Sequence, residues 1–499
     1  MKKILALALA LIMVLGLATT AFAVDADLSG HTYKAYQIFK GTQSETENKF
    51  ELGNITWGDG VNGAELLAAL QADEKLKTVF ADCKTAMDVA DAMADWVDES
   101  ENAMAFAKLA YAHKKGEGVA CENGTTSLNA GYYLVVDTTT FEAGAENTVY
   151  NLALLQLTQK GTFEIANKTD VPESQKKVKD TNDSVANSTT DWQDSADYDI
   201  GDDVPFQLKA TIAGDYANYP VYKLTFHDHE SDGLKFNNDA KVYVDGVEIL
   251  TGFVVVTTGL ADGCTFEVRF ADLKQIAAVK AGSVITVEYT SKLDADAEIG
   301  LPGNPNTMHI TYSNNPNDEQ GGENGKTPDD TVIVFTYKVV VNKVDENKMP
   351  LKGAGFTLYK KDTTGAWVEV PDGEEDADNE LFAETLTTFK WEGLDDGEYK
   401  LKETTTPAGY NTIADIEFTI TAKHDVLSDK PTLTELKGGN LFTGEVSTGA
   451  LTGDVENKSG ATLPETGGTG TTIFYALGGI MVLAAAVLLV TKKRMATAE

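Results

Sequence analysis

Apolar positions along this chain follow two periods, and the places where one gives way to the other divide it. From Tyr33 to Phe39, Gly131 to Val136, Val149 to Leu157 and Thr162 to Ile165 the apolar residues crowd or alternate, as strands require. Between them, Ala64 to Tyr111 repeats at helical spacing: Leu66, Leu67 and Leu70, then Met87, Val89, Met93, Trp96 and Val97, then Met104, Phe106 and Leu109. This pattern predicts a β-sandwich with a helical insertion. It breaks at Lys168-Thr169-Asp170-Val171-Pro172, where a proline among polar residues favours an extended connector. Beyond it come short alternating runs: Val204 to Ala210, Val221 to Phe226, Ala240 to Val244, Phe253 to Val256, Thr265 to Phe270, Val284 to Tyr289 and Met308 to Tyr312. Turn signals separate them at all-β intervals. Asn314 to Asp330, rich in Asn, Gly, Pro and acid, reads as a polar loop or linker. A third set of short strands runs from Val332 to about Lys458.

The two ends have patterns of their own. Lys2 and Lys3 precede an apolar stretch from Ile4 to Leu17, and Ala21-Phe22-Ala23 supplies a small-residue cleavage site, so 1–23 reads as a secretory signal peptide. At the other end, Leu463-Pro464-Glu465-Thr466-Gly467 is followed by an uncharged apolar run over 473–490 and by Lys492-Lys493-Arg494. That run is about long enough to span bilayer hydrocarbon, and the basic tail holds its end on the cytoplasmic side, which leaves the pentapeptide outside. The divisions expected are 1–23, 24–168, 169–331, 332–458 and 459–499.

Charge and cysteine narrow the function. A net charge of −36, made more negative when the mostly basic ends are removed, disfavours nucleic acid and anionic lipid as partners. Cys83, Cys121 and Cys264 are too few and odd in number for a disulfide framework; Cys83 and Cys121 either pair or stand as separate buried thiols. No ATP loop, Rossmann fingerprint or zinc-ligand cluster is present, so no cofactor or metal is expected. His227 and His229 share one strand face and read as polar strand residues.

Alternation points to internal chemistry instead. Val339, Val341 and Lys343 lie on one face of a strand, so core-facing valines carry the lysine inward. Tyr399, Leu401 and Glu403 share a face likewise, and Asn457 follows Val455 in the last strand. A lysine, a carboxyl and an asparagine in one core are the reagents for an isopeptide crosslink. Burial frees the amine of its proton and keeps the carboxyl protonated, so that it donates to the asparagine carbonyl while ammonia leaves.

Lys343-Val344-Asp345, Leu351 to Leu358, Tyr399 to Glu403 with Thr406-Pro407-Ala408-Gly409-Tyr410, and Val455-Glu456-Asn457 together resemble the collagen-adhesin B-type domain of Gram-positive pilins. In that family the lysine and asparagine join and the glutamate is catalytic, roles the resemblance gives to Lys343, Asn457 and Glu403. The middle stretch resembles the fimbrial isopeptide-forming D2 domain, through Lys176 to Asp180, Ile200 to Phe206, Asp228 with Gly233-Leu234, and Asn306 to Pro316. The resemblance makes Asn306 the acceptor. Alternation selects Lys176, which shares a face with Val178, over Lys177 and Lys179. For the acid it selects Asp228, in phase with Leu224 and Phe226, over Glu267 and Glu288, which are out of phase with their apolar neighbours.

The C-terminal tail resembles the Gram-positive cell-wall sorting signal, in which a sortase cleaves between Thr466 and Gly467 and passes the Thr466 carbonyl to an amine. Together these pieces resemble a backbone pilin. The resemblance implies a mainly β chain of tandem immunoglobulin-like sandwiches, the N-terminal one α+β, exported and anchored to the cell wall. It also implies a non-enzyme whose only catalysis is one turnover on itself. Expected partners are a class C pilin sortase, the housekeeping sortase, further copies of the chain, tip and base pilins, and peptidoglycan. The alternative is a monomeric wall-anchored adhesin or base subunit that binds a host-surface ligand. The linking lysine is expected at Lys168 in Ile165-Ala166-Asn167-Lys168, with Lys177 and Lys179 as alternatives, because the aromatic and proline of the usual Tyr-Pro-Lys motif are missing.

Overall fold

The structure, a computed structural model, describes residues 24–25, 28–46, 49–96, 100–122, 127–158, 165, 167–322, 324–371, 381–382, 386–460 and 469–495. Residues 1–23, most of 162–165 and Leu463 to Gly467 lie outside them.

In the first part, strands Lys49–Trp57, Tyr33–Thr46, Gly131–Asp137 and Leu154–Thr158 pair in that order, with Val119–Cys121 on the other end of Tyr33–Thr46. Helices Gly63–Ala72, Lys77–Phe80, Ala86–Ala92 and Glu101–Ala112 form the insertion. Alternation along Gly131–Asp137 explains how they dock. Tyr132, Leu134 and Val136 pack against Leu66, Phe80, Val89 and Phe106, while Tyr133 and Val135 join Tyr33, Ala35 and Cys121 on the opposite face. Among the described residues, the helices thus stand where a sandwich has its second sheet. Cys83 lies on the helical face and Cys121 on the other, and both are free thiols.

The middle part is a two-sheet sandwich. One sheet orders Val247–Ile249, Lys241–Val244, Val284–Leu293, Asp203–Thr211 and Glu173–Val178. The facing sheet orders Val254–Val256, Phe266–Phe270, Leu224–Glu230, Asn304–Ser313, Asp330–Phe335 and Ser195–Asp197, the last pair parallel. Phe206, Leu208, Phe226, Phe266, Val287 and Ile310 fill the space between them. Two expectations change here. The strand Asp330–Phe335, which the sequence places at the start of the third part, pairs with Asn304–Ser313 and Ser195–Asp197 and so belongs to the middle sheet. Asn314 to Asp330 is not a free linker, because it adds the strand Asn324–Lys326 and grips the first part. Tyr150 N–H donates to Asn314 O at 2.7 Å, and Asn317 both accepts from Ala153 N–H at 2.6 Å and donates to Asn151 O at 2.9 Å.

The third part opposes a sheet of Thr388–Leu394, Tyr337–Asp345, Ala450–Asn457 and Thr443–Glu445 to one of Trp367–Glu369, Gly355–Lys361, Gly397–Thr405, Ile416–His424 and Leu433–Lys437. Its first strand, Tyr337–Asp345, and last, Ala450–Asn457, are parallel neighbours, with Lys343 opposite Val455. The junction with the middle part is close: Ile200 N–H donates to Gly393 O at 2.9 Å and Asp194 N–H to Val426 O at 3.0 Å. Lys360 is ion-paired with Asp199 across the seam and with Asp395 on its own side of it.

Thr469–Met495 is one helix with Tyr475, Leu477, Ile480 and Met481 exposed. Among the described residues no helix is long and apolar enough to cross a membrane. The side chains of 473 and 474, which begin the apolar run, lie outside them.

Candidate functional site

The middle sandwich buries a lysine, and its strand register explains why. Glu173–Val178 pairs with Asp203–Thr211 so that Lys176 lies opposite Leu208 and Val178 opposite Phe206, which turns Lys176 inward and leaves it with no exposed surface. From the facing sheet come Asp228 and Asn306, both fully buried on neighbouring strands. Lys176 Nζ is ion-paired with Asp228 Oδ2 and donates to Tyr289 Oη at 2.9 Å. Tyr289 Oη donates to Asp228 Oδ2 at 2.9 Å and accepts from Asn306 Nδ2 at 2.9 Å. The phenol thus joins the amine, the acid and the amide. Asp228 Oδ1 and Asn306 Oδ1 are left without partners.

Burial shapes the acid–base balance. Loss of solvent lowers the Lys176 pKa and raises that of Asp228, and in each case the attraction of the partner opposes the shift. Both shifts favour a neutral amine beside a neutral acid. Burial also raises the Tyr289 pKa well above its ordinary value, so the phenol keeps its proton.

Two members of this cluster were missed in the sequence. Glu230 continues the inward face of Leu224, Phe226 and Asp228, lies opposite Asn306, and accepts from Ser291 Oγ. Burial and then Asp228 raise its pKa to about 7. The alternation that selects Asp228 extends to Glu230, and the alternation Ile285, Val287, Tyr289 would have found the phenol. Glu267, expected to face outward, is buried under an ion pair with Arg269 and lies 3.6 Å from His227. Glu288 accepts from Gln207 Nε2 at 2.7 Å, away from the cluster. His227 stacks on His309 with ring centroids 4.7 Å apart.

In the third part, Lys343 and Asn457 stand on the parallel first and last strands and Glu403 on the facing sheet. Lys343 and Asn457 have no exposed surface, and Glu403 has 5%. Asn457 Nδ2 donates to Glu403 Oε1 at 2.9 Å and to Oε2 at 3.2 Å. Glu403 Oε2 also accepts from Ile413 N–H at 3.1 Å. Lys343 Nζ donates to the carbonyls of Val455 at 2.8 Å and Val344 at 3.1 Å, groups that hold the amine without charge compensation. Burial lowers its pKa to about 8, against the pull of Glu403. At neutral pH roughly a tenth of the amine is then unprotonated, against well under a thousandth for an ordinary lysine.

The proposed linking lysines differ in setting. Lys168 is half-buried, its N–H donating to Asn151 Oδ1 at 3.0 Å, just before the short strand Asp170–Val171 that pairs with Val24–Asp25. Lys177, expected to point outward, is held in an ion pair with Asp194 and is mostly covered. Lys179 lies over the ring of Trp192, 4.8 Å from its centroid. The pentapeptide from Leu463 to Gly467 is outside the described residues.

Comparison with known proteins gives these features a context. Residues 337–432 match the SpaA family, described as a prealbumin-like fold domain, and residues 455–496 match the LPXTG cell wall anchor motif. A curated relative, the trypsin-resistant surface T6 protein of Streptococcus pyogenes serotype M6, is 25% identical over 402 residues, covering 66% of this chain and 70% of that protein. Among solved structures, the T6 backbone pilin of serotype M6 Streptococcus pyogenes aligns at 17% identity over 87% of this chain and 97% of its own, with a TM-score of 0.47. The full-length major pilin SpaD of Corynebacterium diphtheriae aligns at 18% identity over 86% and 93%, with a TM-score of 0.46. At these scores neither structure bears on the chemistry of the two clusters.

Proposed function

We propose, for a chain that is a Gram-positive backbone pilin anchored outside the cell to the wall as a pilus shaft subunit, that its middle and third parts each close one Lys–Asn amide on themselves, and that a sortase joins Thr466 of one subunit to a lysine of the next. One observation carries the crosslinks: in each of two separate sandwiches, a fully buried lysine shares the core with a fully buried asparagine and a buried carboxyl group.

In the third part, the amine of Lys343 attacks Cγ of Asn457. Rotation of the asparagine amide turns Oδ1 toward Glu403, through which the proton shed by the attacking amine passes to the asparagine amide as negative charge develops. The C–N bond to Nδ2 breaks, Nδ2 leaves as ammonia with the proton shed by Lys343, and the carboxyl group that relays that proton is regenerated. In the middle part Asp228 takes the acid role with Lys176 and Asn306. Tyr289, already bonded to all three, orients them and does not titrate.

The placement of these bonds suits a fibre under tension. Force enters the third part through its first strand and leaves through its last, and Lys343 to Asn457 joins those two strands directly. In the middle part, Lys176 on the first strand reaches Asn306 on the facing sheet, which ties the two sheets together. Chain without disulfides is thereby closed by bonds that reductant leaves intact.

For assembly, a class C pilin sortase transfers the Thr466 carbonyl to Lys168 of the next subunit. The housekeeping sortase passes the finished fibre, with its tip and base pilins, to peptidoglycan. Lys168 sits at the connector between the first and middle parts, beside the strand that begins the secreted chain. The test is electrophoresis of wall extracts after boiling in detergent. A high-mass ladder supports the shaft reading, whereas one discrete species favours a monomeric adhesin that binds a host ligand.

A further inference from the structure

We propose that Asp180, Asp197 and His424 form a divalent metal site, of the kind that takes zinc or manganese, which clamps the middle part of the chain to the third. Asp180 follows the strand Glu173–Val178, Asp197 ends Ser195–Asp197, and His424 ends Ile416–His424 of the third part, so no spacing motif announces them. One ligand atom from each lies within 4.8 Å of the other two. Of these, His424 Nε2 and Asp180 Oδ2 are 3.7 Å apart, near the separation of roughly 3.5 Å between two ligands held tetrahedrally at about 2.0–2.2 Å from one ion.

The hydrogen bonds around His424 fix its tautomer. Ser195 Oγ has one proton, donated to Asp425 O at 2.6 Å. The 2.8 Å contact between Ser195 Oγ and His424 Nδ1 then requires Nδ1 to carry the hydrogen and donate it. The bare lone pair is left on Nε2, 3.7 Å from Asp180 Oδ2. An imidazole oriented through its other N–H in this way is the usual arrangement of a metal ligand.

Among the described residues the acceptors that meet there are only partly satisfied. Asp197 is 2% exposed, yet its Oδ2 has no hydrogen-bond partner, and neither does Asp180 Oδ1. Lys360, the cation of this seam, is paired with Asp199 and Asp395. The phenol of Tyr337, the donor beside Asp197, makes no hydrogen bond either. One nitrogen with two carboxylates suits zinc or manganese better than calcium or magnesium, which prefer oxygen throughout.

The test is calorimetric titration of the purified full chain, stripped with chelator, with zinc chloride and separately with manganese chloride, together with thermal melts. One saturable ion per chain and a melting point raised by it are expected. Asp197→Asn and His424→Gln should abolish binding, Ser195→Ala should weaken it about ten- to a hundredfold, and Asp183→Asn, in the neighbouring acidic group, should leave it unchanged. Should either ligand variant fail to fold, Ser195→Ala alone reads the site, because every ligand remains. The proposal is overturned by no saturable binding of either ion, by undiminished affinity in Ser195→Ala and the folded ligand variants, or by loss of binding in Asp183→Asn alone.

Discussion

Replacing Glu403 with alanine should leave the third part uncrosslinked. The carboxyl group accepts from Asn457 Nδ2 and Ile413 N–H, and no other acid contacts the Asn457 amide among the described residues. Without it neither proton transfer has a carrier. The effect on stability has two components. An amide between residues 343 and 457 closes a loop of roughly 100 residues, which by chain-entropy reasoning restricts the unfolded state by about 5 kcal/mol. Removal of the carboxyl group also leaves two donors without an acceptor, at about 1–3 kcal/mol each. Lys343→Met separates them, because it keeps the Glu403 to Asn457 contact and forfeits only the loop contribution. For a domain of this size 5 kcal/mol corresponds to a melting point lower by about 20 °C or more. Calorimetry with intact mass measurement is the assay. Wild type should be lighter than its sequence by one ammonia for this domain and Glu403→Ala should not. If Glu403→Ala loses the same ammonia and melts within a few degrees of wild type, the glutamate has no part in the reaction.

In the middle part, Lys176→Ala should abolish the second ammonia loss while Lys177→Ala retains it; the reverse result in intact mass would refute the facing argument. Asn457→Ala keeps Lys343 as a free buried amine, and the unfolded chain holds a proton on it between pH about 8 and 10.5 that the folded chain does not. Its stability should therefore rise across that window relative to the double variant that also carries Lys343→Met, and denaturant melts showing a constant difference would contradict the lowered pKa. Lys168→Ala should fold and reach the wall but appear only as monomer in extracts; a full ladder would transfer the role to Lys177 or Lys179. Gly393→Val forces a side chain at φ +79° to within 2.5 Å of Ile200 and should loosen the seam between middle and third parts, seen as new protease cleavage there with both ammonia losses intact.

Alternation made most of the chemistry legible in advance. Lys343, Glu403 and Asn457 each follow an apolar residue by two, and a period of two is all that is needed to predict that they share a core. Lys176 and Asp228 were readable for the same reason. Tyr289 and Glu230 obey the rule equally but lie in strands chosen for their apolar residues, so their polar ends drew no notice. The strand Asp330–Phe335 was misplaced because one apolar run continues across Thr336, and only pairing with Asn304–Ser313 shows where the middle sheet ends. Periodicity has no access to such long-range pairing. The seam between the middle and third parts was invisible for that reason too. Asp180, Asp197 and His424 are unremarkable in sequence, and His424 meets the two aspartates only because the third sandwich abuts the middle one.

Peptide mapping by mass spectrometry of fibres released from the wall tests the central claim most directly. Three branched peptides are expected: one joining Lys343 to Asn457, one joining Lys176 to Asn306, each lighter by an ammonia, and one joining Thr466 to a lysine of a second subunit. Linear peptides that carry Lys343, Asn457, Lys176 and Asn306 unmodified, from fibres otherwise intact, would contradict it.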